Sequence, residues 1–143
     1  MSSESNKAAS RRLFVASFQD GNMAVADELL APDAKNGGPA TLPGQPDGPE
    51  GLKMAVSLYR GAFPDMKITI DEQVAEGDTV VTRWTAVGTN TGELAGMPAS
   101  GKPVTVTGMG IDHFKDGKIV SSWGIFDQFG MMVQMGVIPA PGG

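Results

Sequence analysis

The sequence predicts an α+β fold, with helices first, an antiparallel sheet after them and a last helix closing the chain. Three observations carry this reading. Up to Phe63, outside a Gly/Pro-rich stretch at 33–49, apolar residues keep a helical spacing. From Lys67 to Phe126, runs rich in Val, Ile, Thr and Trp alternate at strand period between glycine-containing turns. After Phe126 a Met-rich stretch returns to helical spacing.

Taken in order, residues 5–19 read as a helix whose Leu13, Phe14, Val15, Ala16 and Phe18 gather apolar surface on one side. Asp20-Gly21-Asn22 breaks it, glycine being the usual residue just past a helix end. A short helix over 23–30 is stopped by Ala31-Pro32, because the residue before a proline is pushed out of the helical region. Residues 33–49 show no periodicity and read as a long Gly/Pro-rich loop, of a kind that is usually functional or mobile. Pro49 opens a third helix where its missing N–H is harmless, with Asp47 as its cap. Leu52, Met54, Val56, Leu58, Tyr59 and Phe63 make that helix apolar around most of its surface, and Pro64-Asp65 ends it. Strands follow over 67–71 and 79–88, joined by Glu76-Gly77-Asp78, and a final helix runs over 127–135.

At 143 residues the chain reads as one domain, 1–143, long enough to bury a real core. It carries 11 basic and 16 acidic residues, a net charge of −5, and no basic run. That argues against nucleic acid as a partner, since neutralising phosphates takes a clustered cationic surface. It also disfavours anionic membrane surfaces. No segment approaches the roughly 20 apolar residues of a spanning helix, and the N-terminal stretch lacks an apolar core of signal-peptide length. Without cysteine there are no disulfides and no thiolate ligands. The expected location is the cytoplasm. No glycine-rich loop precedes a helix in a nucleotide-binding arrangement, so no cofactor is expected.

The last two strands flank Lys115-Asp116-Gly117-Lys118 and allow two registers. A two-residue Asp-Gly turn sets Phe114 opposite Ile119. A three-residue Lys-Asp-Gly loop, with Gly117 left-handed, sets Phe114 opposite Lys118. The second is the register expected, because it groups Met109, Ile111, Ile119, Trp123 and Ile125 on one face. Val106, Gly108, Gly110, Ser122, Gly124 and Phe126 then share the other, with Gly108 across from Gly124 and Gly110 across from Ser122. Three glycines on one face of the hairpin imply sharp curvature, room for something bulky, or both. The apolar face is expected to bury against a second subunit, giving a homodimer through the outer sheet surface.

A set of short motifs spans nearly the whole chain. It comprises Asn36, G-P-E-G-L-K at 48–53, A-F-P-D at 62–65, R-W with G-T-N-T-G-E at 83–93, and G-M-P-A-S-G-K at 96–102. D-G-K-I at 116–119 and W-G-I-F-D with Q-M-G at 123–136 complete it. In these residues the chain resembles the SnoaL-like polyketide cyclases of the nuclear-transport-factor-2-like superfamily. The resemblance implies a cone, in which a curved antiparallel sheet is wrapped by three to four helices and pairs into dimers. The family's aldol-type cyclases use an aspartate on the last strand, a histidine and a glutamine on the strand before it, and an asparagine after the second helix. At the matching positions this chain has Gly124, Gly110, Gly108 and Asn36, so only the asparagine is retained. A positioned base contributes roughly 10²–10⁴-fold. Its loss points to a ring closure that moves no proton, such as an intramolecular [4+2] cycloaddition of the kind proposed for indane-forming relatives. The substrate implied is a hydrophobic polyketide.

The candidate catalytic residues are Asn36, as a hydrogen-bond donor to a ligand carbonyl, and Asp127, the carboxylate left near the pocket. Asp127 also opens the last helix, where aspartate is a favoured N-cap. Met54, Tyr59, Trp84, Gly108, Gly110, Ser122, Gly124, Phe126 and Met132 are the expected substrate-binding wall. Tyr59 and Trp84 each pair large apolar surface with one donor. The 9 methionines suit a pocket that accepts varied apolar shapes. Asp112 and Asp116 flank the hairpin turn and read as part of it. The lone His113 is placed outward, without the partners a metal site needs. Residues 95–103 read as a mobile flap over the pocket mouth. Two alternatives stay open: an aldol cyclase, isomerase or hydroxylase using Asp127 as its base, and a small-molecule binder without catalysis.

Overall fold

Helix α1 (Ser3–Phe14) starts at Ser2, whose hydroxyl accepts the Ser5 N–H at 3.0 Å, and runs without a break into a π-helical turn over Val15–Gln19. The structure, a computed structural model, describes residues 2–139; Met1 and residues 140–143, most of the Pro-Ala-Pro-Gly-Gly end, lie outside the described residues. The Arg60 guanidinium donates to the Phe18 carbonyl at 3.1 Å and to that of Gln19, holding the wide turn against the third helix. Helix α2 (Ala24–Leu29) follows, then strand β1 (Leu30–Gly37) and helix α3 (Pro49–Ala62). Strands β2 (Lys67–Glu76), β3 (Thr79–Thr89), β4 (Pro103–Lys115) and β5 (Lys118–Phe126) lead to helix α4 (Gln128–Met135). Among the described residues no helix is long and apolar enough to cross a membrane.

The five strands form one sheet in the order β1-β5-β4-β3-β2. It is the expected α+β arrangement with one correction: β1 runs parallel to β5, so the sheet is mixed. The stretch expected to be all loop from residue 33 therefore begins as an edge strand. Its pattern was hidden because Pro32, Asp33 and Lys35 face water while only Leu30, Ala31 and Ala34 are buried. An edge is where a sheet tolerates proline. Asp47 does not cap α3. Its carboxylate instead pairs with Lys35 at 3.1 Å and accepts the Asn36 N–H, which ties the loop to β1.

The β4–β5 hairpin also departs from the expected register. Asp116 (φ 53°) and Gly117 (φ 82°) make a two-residue turn with Phe114 opposite Ile119. The register then shifts between Phe114 and His113, so that Asp112 faces Ser122, Gly110 faces Gly124 and Gly108 faces Phe126. The turn and the irregularity offset each other. Met109, Ile111, Trp123 and Ile125 still share a face, but Ile119 is thrown to the other side and is fully buried against the first core.

Two apolar clusters hold the helices on the sheet. Leu13, Val25, Leu29, Val80, Phe114 and Ile119 anchor the first, between α1, α2 and the hairpin end of the sheet. Ala62, Phe63, Leu94, Val104, Met131 and Met135 form the second, around α3, α4 and the start of β4. Between them lies a cavity.

Candidate functional site

Strand pairing lays the cavity-facing side of the sheet out in rows. Val80, Asp112, Ser122 and Asn36 stand side by side on β3, β4, β5 and β1. The next row is Thr82, Gly110 and Gly124, and the third is Trp84, Gly108 and Phe126. At roughly 3.3 Å of rise per residue, successive rows are about 6.6 Å apart and the first and third about 13 Å apart. One end of the site is therefore polar, the other aromatic, and the middle is bare.

The cavity measures about 250 Å³. Its aromatic end is a closed belt of five rings, all in the wall. Phe14 packs on Phe18 (centroids 5.2 Å apart) and on Trp84 (4.9 Å). Phe18 meets Tyr59 at 6.5 Å, Tyr59 meets Phe126 edge-on at 5.8 Å, and Phe126 meets Trp84 at 6.2 Å. Each such pair contributes about 0.5–1.5 kcal/mol beyond area burial, so the belt is a stiff frame. The π-helical turn places Phe18 in it beside Phe14, and π turns recur at functional sites. Burial raises the Tyr59 phenol above its ordinary value, keeping it a neutral donor.

The three glycines of this face have different jobs. A Cβ on Gly108 would lie 2.3 Å from Trp84 Cζ2, so the indole already occupies its space. A Cβ on Gly124 would touch the Ala40 methyl at 3.4 Å, and the Ala40 N–H donates to the Gly124 carbonyl at 3.0 Å. Glycine at 124 thus admits the loop of residues 38–48. On Gly110 the nearest atom would be the Trp123 carbonyl, 3.6 Å away in the sheet itself. Gly110 is where the sheet wall is bare toward the cavity.

At the polar end, Asp112 opens on the cavity and is otherwise enclosed by protein. Ser122 Oγ donates to its Oδ1 at 2.7 Å and Ser10 Oγ, reaching down from α1, to its Oδ2 at 2.8 Å. No Lys or Arg pairs with it among the described residues. Burial raises its carboxyl above the usual range, while Ser122, Ser10 and the charge of His113 pull the other way. Among the described residues no group of three or more His, Cys, Asp or Glu is placed to hold a metal.

Of the residues singled out in the sequence, Asn36, Tyr59, Trp84, Gly110, Ser122, Gly124 and Phe126 stand together in the cavity wall. Met54, Gly108, Asp127 and Met132 do not; Met131 takes the place expected of Met132. The Asn36 Nδ2 donates to the Pro46 carbonyl at 2.7 Å, so that amide fastens the loop. Asp127 accepts the Gly130 N–H at 2.8 Å as the N-cap of α4. His113 lies exposed at the far end of β4 with Nδ1 3.2 Å from Thr79 Oγ1. Residues 95–103, expected to cover the mouth, contribute nothing to the wall. They are pinned instead by the buried Asn90, whose Oδ1 accepts from the Ser100 N–H and hydroxyl at 2.9 and 2.8 Å. The loop that reaches the cavity is 38–48, through Ala40, Thr41 and Gln45. The sequence reading missed Phe14, Phe18, Asp112, Ser10 and Thr82 as wall residues. For Asp112 the signal was present: it continues the even-numbered face of Gly108 and Gly110, but its nearness to the turn drew it into the turn.

Comparison with known proteins places this geometry. TsrD from Streptomyces laurentii superimposes with a TM-score of 0.86 at 28% identity, covering 96% of this chain and 99% of that one. IdmH from Streptomyces antibioticus, a candidate polyketide cyclase, is 34% identical with a TM-score of 0.78, over 92% of this chain and 99% of its own. A candidate polyketide cyclase from Acidithiobacillus ferrooxidans gives 0.79 at 28% identity, over 94% and 97%. No curated protein matches by sequence. The sequence profile of the SnoaL-like polyketide cyclases matches residues 8–135, which takes in every wall-forming element from α1 to α4. With the cone, the cavity and that match in agreement, the chain belongs to the SnoaL-like polyketide cyclase family.

Proposed function

We propose that this protein is a cofactor-independent enzyme that closes a carbocyclic ring on a hydrophobic polyketide, by folding a linear unsaturated chain into a reactive shape. The observation that carries the reading is the closed belt of five aromatic rings beside the bare wall at Gly110. Flat π-faces suit a conjugated chain, and the gap at Gly110 lets that chain lie against the sheet. The belt carries no ionised group, which fits a cycloaddition such as an intramolecular [4+2], where bonds reorganise without proton transfer. Holding diene and dienophile near contact supplies several kcal/mol by orientation alone. The family membership and the similarity to IdmH support a ring-forming role.

The enzyme is read as cytoplasmic and as a homodimer. Met109, Trp123 and Ile125, each about two-fifths exposed, also border the cavity, but by strand alternation they lie on the sheet face opposite Gly110 and Gly124 and form an apolar patch there that a second copy would cover.

The test is to incubate the protein with a linear polyene bearing a diene and an activated alkene, and to follow the cyclic product. Ring closure several orders of magnitude faster than in buffer is expected. Tight binding with no acceleration would leave a binding protein and reject the enzyme.

A further inference from the structure

Asp112 is a carboxyl at the polar end of a mostly apolar cavity, without a cationic partner among the described residues, and with one serine on each oxygen. A structural role explains it poorly. Two hydroxyls replace only part of the hydration that a carboxylate largely enclosed by protein loses. It stands one row from the Gly110 gap and two rows from the Trp84–Phe126 end of the belt, on the same strand face. A ligand lying across Gly110 with its conjugated part in the belt therefore points its other end toward Asp112.

We propose that Asp112, positioned by Ser10 and Ser122, is the carbonyl-recognition group of the cavity: its carboxyl O–H donates a hydrogen bond to a ketone or ester oxygen at one end of the bound chain. The ligand is accordingly a conjugated carbonyl compound and not a plain hydrocarbon, its carbonyl at the Asp112 end of the cavity and its unsaturated part toward the rings. This rests on the proposed function and deepens it, because withdrawing electrons through the carbonyl activates the adjoining double bond. The groups facing Asp112 are Val80 from β3, Ser122 from β5 and Ser10 from α1, with His113 next to it on β4 as the charge that acts on it. Burial raises its carboxyl above the usual range, the direction that favours the protonated form, against the opposing pull of Ser122, Ser10 and His113.

The experiment uses Prodan, a fluorescent naphthyl ketone whose emission moves to longer wavelength when its carbonyl accepts a hydrogen bond, and 2-ethylnaphthalene as a competitor without a carbonyl. Both are titrated into the wild type, Asp112→Leu and Asp112→Asn. The wild type is expected to bind Prodan with hydrogen-bonded emission. In D112L the emission should shift to shorter wavelength and the affinity fall about tenfold, with the hydrocarbon affinity unchanged. D112N, which keeps an N–H donor, should retain the long-wavelength emission. Raising the pH should remove that emission from the wild type as the carboxyl ionises and leave D112N unaltered, a comparison that stands even if D112L fails to fold. Equal emission and affinity in wild type and D112L, or matching pH profiles in wild type and D112N, would overturn the proposal. If the hydrocarbon binds and the ketone gains nothing, this inference alone fails; if neither binds, the cavity reading falls with it.

Discussion

Gly108 and Gly110 sit two residues apart on one strand face, yet a methyl group would meet opposite fates at the two positions. At Gly108 it would collide with the Trp84 indole at 2.3 Å, whereas at Gly110 it would meet ordinary contact at 3.6 Å. Gly108→Ala is expected to destabilise by about 1–3 kcal/mol through overpacking. Gly110→Ala should be neutral or stabilise by about 0.4–1 kcal/mol, since it removes freedom from the unfolded chain. Gly110→Leu should keep its Tm and lose ligand uptake. Thermal unfolding and Prodan titration of the three variants check this, and equal destabilisation at both positions would refute the assignment. The sequence marked these glycines as unusual because glycine weakens a strand interior, and three share one sheet face across β4 and β5. It could not say which space was already full, because that depends on Trp84, which reaches Gly108 from the neighbouring strand.

At the scale of elements, the helices and β2 to β5 were legible from spacing and turn residues, because each buries one regular face. The misses share a cause. Strand β1 is an edge with few buried positions, and the hairpin irregularity is one residue long, so neither leaves a periodic trace. The π-helical turn left none either, since its Phe14 and Phe18 spacing also fits a plain helix. Its hold on α3 is the Arg60 guanidinium on the Phe18 and Gln19 carbonyls. Arg60→Ala should cost about 1–3 kcal/mol in urea unfolding, in the range of charged hydrogen bonds. It should also weaken Prodan binding by loosening Phe18, while Arg60→Lys restores part of both. Unchanged ligand binding in R60A would show that the belt does not need this clamp.

For the whole molecule, stability should follow two opposed sets of carboxylates. Asp65 accepts the Thr89 N–H at 2.7 Å and its hydroxyl at 2.8 Å, and these bonds hold its carboxyl below the usual range. Its contribution is present above the ordinary aspartate value of about 3.9 and is lost as pH falls through its lowered value. Asp112 has the opposite sign. Its folded carboxyl binds a proton more tightly than the unfolded chain does, so its contribution is present below about 3.9 and fades as pH rises through its raised value. Asp112→Asn, which cannot ionise, should therefore match the wild-type Tm in acid and exceed it at neutral and alkaline pH. Thermal melts across a pH series decide this, and a D112N profile parallel to the wild type would contradict it.

The most direct measurement is a crystal structure of the protein with an unreactive conjugated polyene ketone bound. The ligand chain is expected to lie against Gly110, its conjugated segment toward the belt of Phe14, Phe18, Tyr59, Trp84 and Phe126, and its carbonyl oxygen within hydrogen-bond reach of Asp112. A ligand seated on the outer face beside Trp123, or one in the cavity that leaves Gly110 uncovered, would contradict this.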